Sequence, residues 1–354
     1  FLSIGRIPDM TKKILLFLLA IAMIASLVAC AADSQDKQTI IIEDMMGREI
    51  EIPGQIDTIF CIDPMSSITL YTVAPDMLAG WNYALNEFES AYILEEYRDL
   101  PVFGMGGSIN FEAALAAKPD IALLTGTLSD GLVEKADMFA EKLGIPVVIL
   151  DNALTQAPSV FALLGQITGN TKQAAALSSY ATNAIERIAA IDEPTSIYYA
   201  NGVVSLDTSA KGTAASQLFD MVQADNVCDL QSESGDRITV TKEHIIDWNP
   251  QFIFVNGEPT QGLSGSTAAQ NVLSDPHLAN VQAVKDGNVI SIPKAPFAWV
   301  DRPRSVNLLI GIGWLGSILY PDNYSFSNED IRNFYALFYH VDLTDTQIDE
   351  LLNQ

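Results

Sequence analysis

Ile109-Asn110-Phe111-Glu112, followed by Pro119, the apolar run Ile121 to Leu124 and Gly126, returns 131 residues later without a gap. The second copy reads Val240-Thr241-Lys242-Glu243, Pro250, Phe252 to Val255 and Gly257. Both copies carry the same physical instructions. Asn110 or Thr241 is placed to cap a helix, and the glutamate two positions on favours the positive end of that helix. Proline then ends the helix, and the apolar run that follows suits a strand buried on both faces of a parallel sheet. Glycine releases the chain at the strand's carboxyl end. Two such units predict two related α/β lobes.

The surroundings of each copy extend the pattern. Strand-like runs at Thr58 to Ile62, Ile121 to Leu124 and Val147 to Leu150 alternate with helical segments such as Asp130 to Leu143, which Gly144 is placed to terminate. Ser196 to Ala200, Phe252 to Val255 and Val289 to Ile292 do the same in the second half. Ahead of the first lobe, Thr39 to Ile42 and Glu49 to Ile52 flank Asp44, Met46 and Gly47, which reads as an antiparallel hairpin added to the lobe edge.

Between the lobes, Thr171 to Ile191 is rich in alanine, free of Gly and Pro, and carries Leu177, Tyr180, Ile185 and Ile188 at helical spacing. It reads as one continuous helix of about 30 Å. The expected fold class is therefore α/β: two Rossmann-like lobes, each a parallel-rich sheet covered by helices, joined by one long α-helix. The lobes span 39–170 and 193–354, with the connector at 171–192. Capped helices are expected after Ser327 and after Thr344, where Gln347 completes a capping box.

The start of the chain has a different character. Lys12 and Lys13 precede an apolar run from Ile14 toward Val28, the layout of a secretory leader with Met10 as its first residue and 1–9 as an upstream extension. Leu27-Val28-Ala29-Cys30 resembles the bacterial lipobox, which implies a diacylated Cys30, so that 1–29 hold the upstream extension and the leader and 30–38 the lipidated cysteine and a short tether. An uncleaved membrane span is the competing reading, but the run is marginal for crossing about 30 Å of hydrocarbon and no basic stop-transfer cluster follows it. The whole sequence has a formal charge of −25, and without Arg6, Asp9, Lys12 and Lys13 the remainder carries about −27. A surface this acidic repels nucleic acid. Cys61 and Cys228 stand too far apart for a zinc spacing and read as buried free thiols.

No catalytic constellation emerges. Gly311-Ile312-Gly313-Trp314-Leu315-Gly316 spells a dinucleotide-binding motif, but inside a helical pattern rather than at a strand-to-helix turn, so close helix packing is the expected use. Gly262-Leu263-Ser264-Gly265-Ser266 lacks the last glycine of a hydrolase elbow. His244, His277 and His340 are scattered, a poor basis for a metal centre. The chain is expected to be neither an enzyme nor the holder of a resident cofactor. A surface adhesin or scaffold lipoprotein is the alternative from another class; it would explain the leader but not the paired lobes.

Taken together, the two glutamate motifs, Lys118-Pro119-Asp120, the opening Asp44-Met45-Met46-Gly47-Arg48 and the late Asp301-Arg302-Pro303 with Gly311, Trp314, Tyr320 and Pro321 resemble the helical-backbone (class III) periplasmic binding proteins. Those proteins serve ABC importers for iron-siderophores, haem and cobalamin, and some carry oxyanions. The resemblance implies an extracytoplasmic, monomeric receptor, lipid-anchored here, whose partner is a permease dimer docked through Glu112 and Glu243. The other reading of these glutamates is simple complementation of helix dipoles.

The resemblance also implies a ligand held between the lobes, in loops at the carboxyl ends of strands, as is general for open α/β sheets. In the first lobe these loops hold Pro64, Met65, Ser66 and Ser67, then Trp81, Asn82 and Tyr83, then Gly126 and Thr127. In the second they hold Tyr199, Asn201, Gly257, Phe297, Trp299, Arg302 and Arg304. Arginines beside aromatic rings suit an anionic iron chelate, or an oxyanion such as molybdate or tungstate. Met65 or Tyr199 could supply an axial ligand to haem. The alternative for Arg302 and Arg304 is pairing with local acids such as Asp301.

Overall fold

The computed structural model describes residues 39–231, 237–258 and 262–353. Its first element is the expected hairpin, β1 (Thr39–Glu43) paired antiparallel with β2 (Glu49–Pro53). The turn fastens it to the first lobe. The Asp44 carboxylate accepts from the Ile149 amide and pairs with Arg48, which also donates to the Val147 carbonyl.

The first lobe is a three-stranded parallel sheet in the order β3 (Ile59–Cys61), β4 (Ile121–Gly126), β5 (Val147–Asp151). The second lobe carries β6 (Ser196–Ala200), β7 (Asp207–Thr208), β8 (Asp225–Asn226), β9 (Ile238–Thr239), β10 (Phe252–Val255) and β11 (Val289–Ser291). Four of these form a parallel sheet in the order β11-β10-β6-β8, while β7 and β9 make a small antiparallel ribbon.

Side chains alternate across a strand, and here both faces of each sheet are covered, which is why the strands read as unbroken apolar runs. Ile121 and Leu123 face a large core shared with Ile197, Tyr199 and Phe254 of the other lobe. Ala122 and Leu124 face the first lobe's own outer core, and Tyr198, Ile253 and Val255 face the second's. The sheets are thus joined by continuous apolar packing as well as by the chain.

The repeat is structural. Helices at Phe111–Ala116 and Lys242–Trp248 lead into β4 and β10 at the same 131-residue offset. Asn110 accepts from the Ala113 amide, whereas the Thr241 amide donates to His244 Nδ1. The closing glycines allow close approach: a Cβ at Gly126 would lie 2.7 Å from Leu132, and one at Gly257 would lie 2.4 Å from the Gly265 backbone.

The helix Asp130–Leu143 ends at Gly144 with φ +67°, as expected. The connector differs. It runs only over Thr171–Glu186, about 24 Å, because the backbone beyond is claimed by side chains. The Ala189 amide donates to Tyr324, and Gln223 brackets the Ala189 carbonyl and the Ile191 amide.

The tail helices Asn328–Phe338 and Asp345–Leu352 begin with the capping boxes of Ser327 and Thr344. The first of them lies across the connector, where Tyr180 meets Phe334 and Phe338, and Gln173 donates to both Thr72 and Leu337 carbonyls. Cys61 and Cys228 are free and buried.

The Gly311, Gly313 and Gly316 motif sits inside the helix Leu308–Leu319 and serves packing. A Cβ at Gly311 would stand 2.1 Å from the Trp299 carbonyl oxygen, and one at Gly316 would stand 2.5 Å from the Tyr324 ring. Gly311→Ala must therefore shift backbone, and we expect a stability loss of about 1–3 kcal/mol, read from chemical denaturation. No helix among the described residues is long and apolar enough to cross a membrane.

Candidate functional site

A cleft of about 720 Å³ lies between the lobes. Pro64, just past β3, Gly257 and Glu258, just past β10, and Ile292, just past β11, place it at the carboxyl ends of both sheets. Tyr83, Phe88, Glu89 and Met105 line the first-lobe wall; Lys294, Arg302 and Ser264 line the second.

The second wall is cationic. Lys294 Nζ donates to the Gly257 carbonyl at 2.6 Å, and burial pulls its ammonium below the ordinary lysine value, against the opposing pull of Glu258. Arg302, with φ +62°, holds its side chain about one-third exposed in the cleft. Its Nε donates to the Asp301 carboxylate at 3.4 Å. Burial raises the Asp301 carboxyl, and Arg302 and Arg304 oppose that rise. A polar chain continues inward: Tyr199 donates to Asp301, and Asn256 donates to Tyr199 and to Asn201.

On the facing wall, burial lifts the Glu89 carboxyl above its usual range, although it accepts from the Asn86 amide and the Tyr83 hydroxyl. Glu89 therefore takes up a proton at higher pH than a free glutamate, and doing so removes a negative charge from the cleft. Affinity for an anion is expected to rise as pH falls from neutral into the range where Glu89 takes up its proton, and to fall on the alkaline side as Lys294 discharges early. Isothermal titration across that range checks the acid limb, which Glu89→Gln should flatten.

The expected site residues divide sharply. Arg302 reaches the cleft, as do Pro64, Tyr83 and Gly257. Met65 and Arg304 line a smaller hollow of about 60 Å³, with Thr69, Thr125 and Asp151. Thr127 is exposed and bonds to Asn152. The remainder are core. Ser66 closes the capping box of the helix Pro64–Val73, donating its amide to the N-cap Asp63 carboxylate and accepting from the Asp63 amide, and Ser67 donates to Asn82, which in turn donates to the Cys61 carbonyl. Trp81 is buried and donates to the Tyr97 carbonyl.

Tyr199 and Asn201 are fully buried and support Arg302 through Asp301 rather than meeting a ligand. That burial also removes Tyr199 as an axial ligand to haem. Phe297 packs on Trp81 and Tyr339, and Trp299 on Trp314 and Phe326. Phe297 fills the core shared by the lobes and Trp299 the core of the second lobe, where burying a large ring contributes more than exposing it in a loop. Sequence reasoning missed Lys294, Glu89, Phe88, Met105 and Glu258. Lys294 was the most findable, standing three residues past β11 in a chain poor in cations.

Glu112 and Glu243 are both exposed at the starts of their helices. The lipobox-like residues around Cys30 lie outside the described residues.

Comparison with known proteins bears on what this arrangement is. A family model described as periplasmic binding protein matches residues 73–296. Among curated proteins, the chain is 23% identical to the molybdate-binding protein MolA of Haemophilus influenzae, over 89% of this chain and 96% of that one. Among solved structures, it superposes on an ABC transporter solute binding protein from Sulfurospirillum deleyianum with a TM-score of 0.79 and 27% identity, covering 89% of this chain and 99% of that one. A periplasmic solute binding protein from Veillonella parvula matches with a TM-score of 0.73 and 22% identity, covering 89% and 97%.

Proposed function

The chain belongs to the periplasmic binding protein family, and from that premise we propose that it captures an anionic metal chelate of the ferric-siderophore class in its inter-lobe cleft and hands it to an ABC permease. Its general role is that of an ABC transporter solute-binding protein on the extracytoplasmic side, in a family that delivers substrates rather than converting them.

The observation that carries the ligand reading is the pair of cations, Lys294 and Arg302, on one wall of a cleft whose other wall offers Tyr83, Phe88 and Met105. Charge-assisted donors suit anionic oxygens, and the apolar wall suits the organic frame around a chelated metal. A volume of about 720 Å³ is that of a site for a drug-sized ligand. The similarity to a molybdate-binding protein favours a second reading, a bare metallate oxyanion held by the same two cations. Glu112 and Glu243 would dock the two lobes on the permease dimer, and acyl chains on Cys30 would hold the receptor at the membrane.

Calorimetric titration of the protein from Cys30 onward with ferric siderophores, haem, cobalamin, molybdate and tungstate tests this. Heat is a better readout than tryptophan emission, since Trp81 and Trp299 are buried away from the cleft. Saturable binding of a ferric chelate alone supports the first reading, and saturable binding of molybdate or tungstate alone replaces it with the second. No binding by any member removes both.

A further inference from the structure

Among the exposed apolar side chains, two occupy the same place in the repeat. Leu115 is 43% exposed and Ile246 is 41% exposed, and they stand 131 residues apart, the offset of the duplicated unit. Their inward neighbours, Ala114 and Ile245, are equivalent as well and fully buried. Leu115 lies three residues after Glu112, and Ile246 three after Glu243, so on each helix the apolar residue and the carboxylate share one face. Single exposed leucines are ordinary, but these two form a matched pair on duplicated elements, each beside an exposed glutamate.

Beside the Glu243 helix, Val203 and Val204, 48% and 71% exposed, line a hollow with Lys242 and Ile245. Two equivalent patches related by a repeat suit a partner with two equivalent subunits.

We propose that each lobe docks on the permease dimer through a two-point foot, Glu112 with Leu115 on one lobe and Glu243 with Ile246 on the other, so that each permease subunit offers a cation beside an apolar recess. This rests on the docking role given above to the two glutamates. The carboxylates steer and orient the encounter, while the apolar contacts hold it and lose little to added salt.

The test uses the full chain and its permease dimer in lipid nanodiscs, with affinity read by interferometry at low and high salt. Leu115→Gln with Ile246→Gln should weaken binding by about tenfold or more at both salt concentrations, and Glu112→Gln with Glu243→Gln should weaken it mainly at low salt. Circular dichroism establishes that both pairs are folded. Loss with the glutamate pair but wild-type binding by the Leu115 and Ile246 pair overturns the foot and leaves glutamate docking standing. Wild-type binding by both pairs overturns both. A wild-type dimer on size exclusion that the Leu115 and Ile246 pair converts to monomer, with permease binding intact, also overturns the proposal, because the patches then serve self-association.

Discussion

Lys294→Met with Arg302→Ala is expected to weaken binding of the anionic ligand by about 100-fold or more, and each substitution alone by about tenfold. A hydrogen bond from a charged donor is worth about 1.5–3 kcal/mol, and two on one wall act on the same ligand. Arg302 is partly solvent-exposed, so its loss should leave the fold intact, whereas Lys294→Met also gives up the bond to the Gly257 carbonyl and should cost some stability. Isothermal titration gives the affinities, and a thermal melt gives the control. Unchanged affinity in the double variant would place the ligand elsewhere, with the hollow between Met65 and Arg304 next in line. Tyr199→Phe should have a smaller effect, since its hydroxyl acts on Arg302 only through Asp301.

The fold was legible because its instructions are local and duplicated. Pro119 and Pro250 stop helices, four-residue apolar runs make strands covered on both faces, and Gly144 takes a left-handed conformation that few other residues adopt. The caps of the tail helices were equally plain in Ser327 and Thr344. The connector was legible in kind but not in length, since the partners that end it, Gln223 and Tyr324, come from distant sequence.

The site was legible only in outline. Strand ends located the loops, and Arg302 was visible as a cation in an acidic chain. Within a loop, however, neighbouring residues face opposite ways: Trp81 and Asn82 turn inward while Tyr83 lines the cleft. Nothing in local pattern distinguishes the two. Aromatic residues near a binding loop invite a ligand-stacking reading, yet a core shared by two lobes needs large side chains, and Phe297, against Trp81, and Trp299, against Trp314 and Phe326, are used in it. Glu89 escaped notice because its significance comes from burial opposite Lys294, which only the tertiary structure supplies.

Trp299→Ala separates those two uses of an aromatic residue. The side chain is completely buried, packs edge-on against Trp314 and Phe326 at ring distances of 6.0 Å, and donates from Nε1 to the Tyr335 hydroxyl at 3.2 Å. Its backbone carbonyl is the surface against which Gly311 closes, so a cavity there also loosens the helix Leu308–Leu319. Truncating a buried tryptophan is expected to cost about 3–5 kcal/mol, measured by chemical denaturation, with ligand affinity per folded molecule nearly unchanged. Trp299→Phe keeps most of the ring and gives up the bond to Tyr335, for an expected loss of about 1–2 kcal/mol. A Trp299→Ala protein with a normal denaturation midpoint and lost affinity would reverse the assignment, returning this ring to the binding site and taking it out of the core.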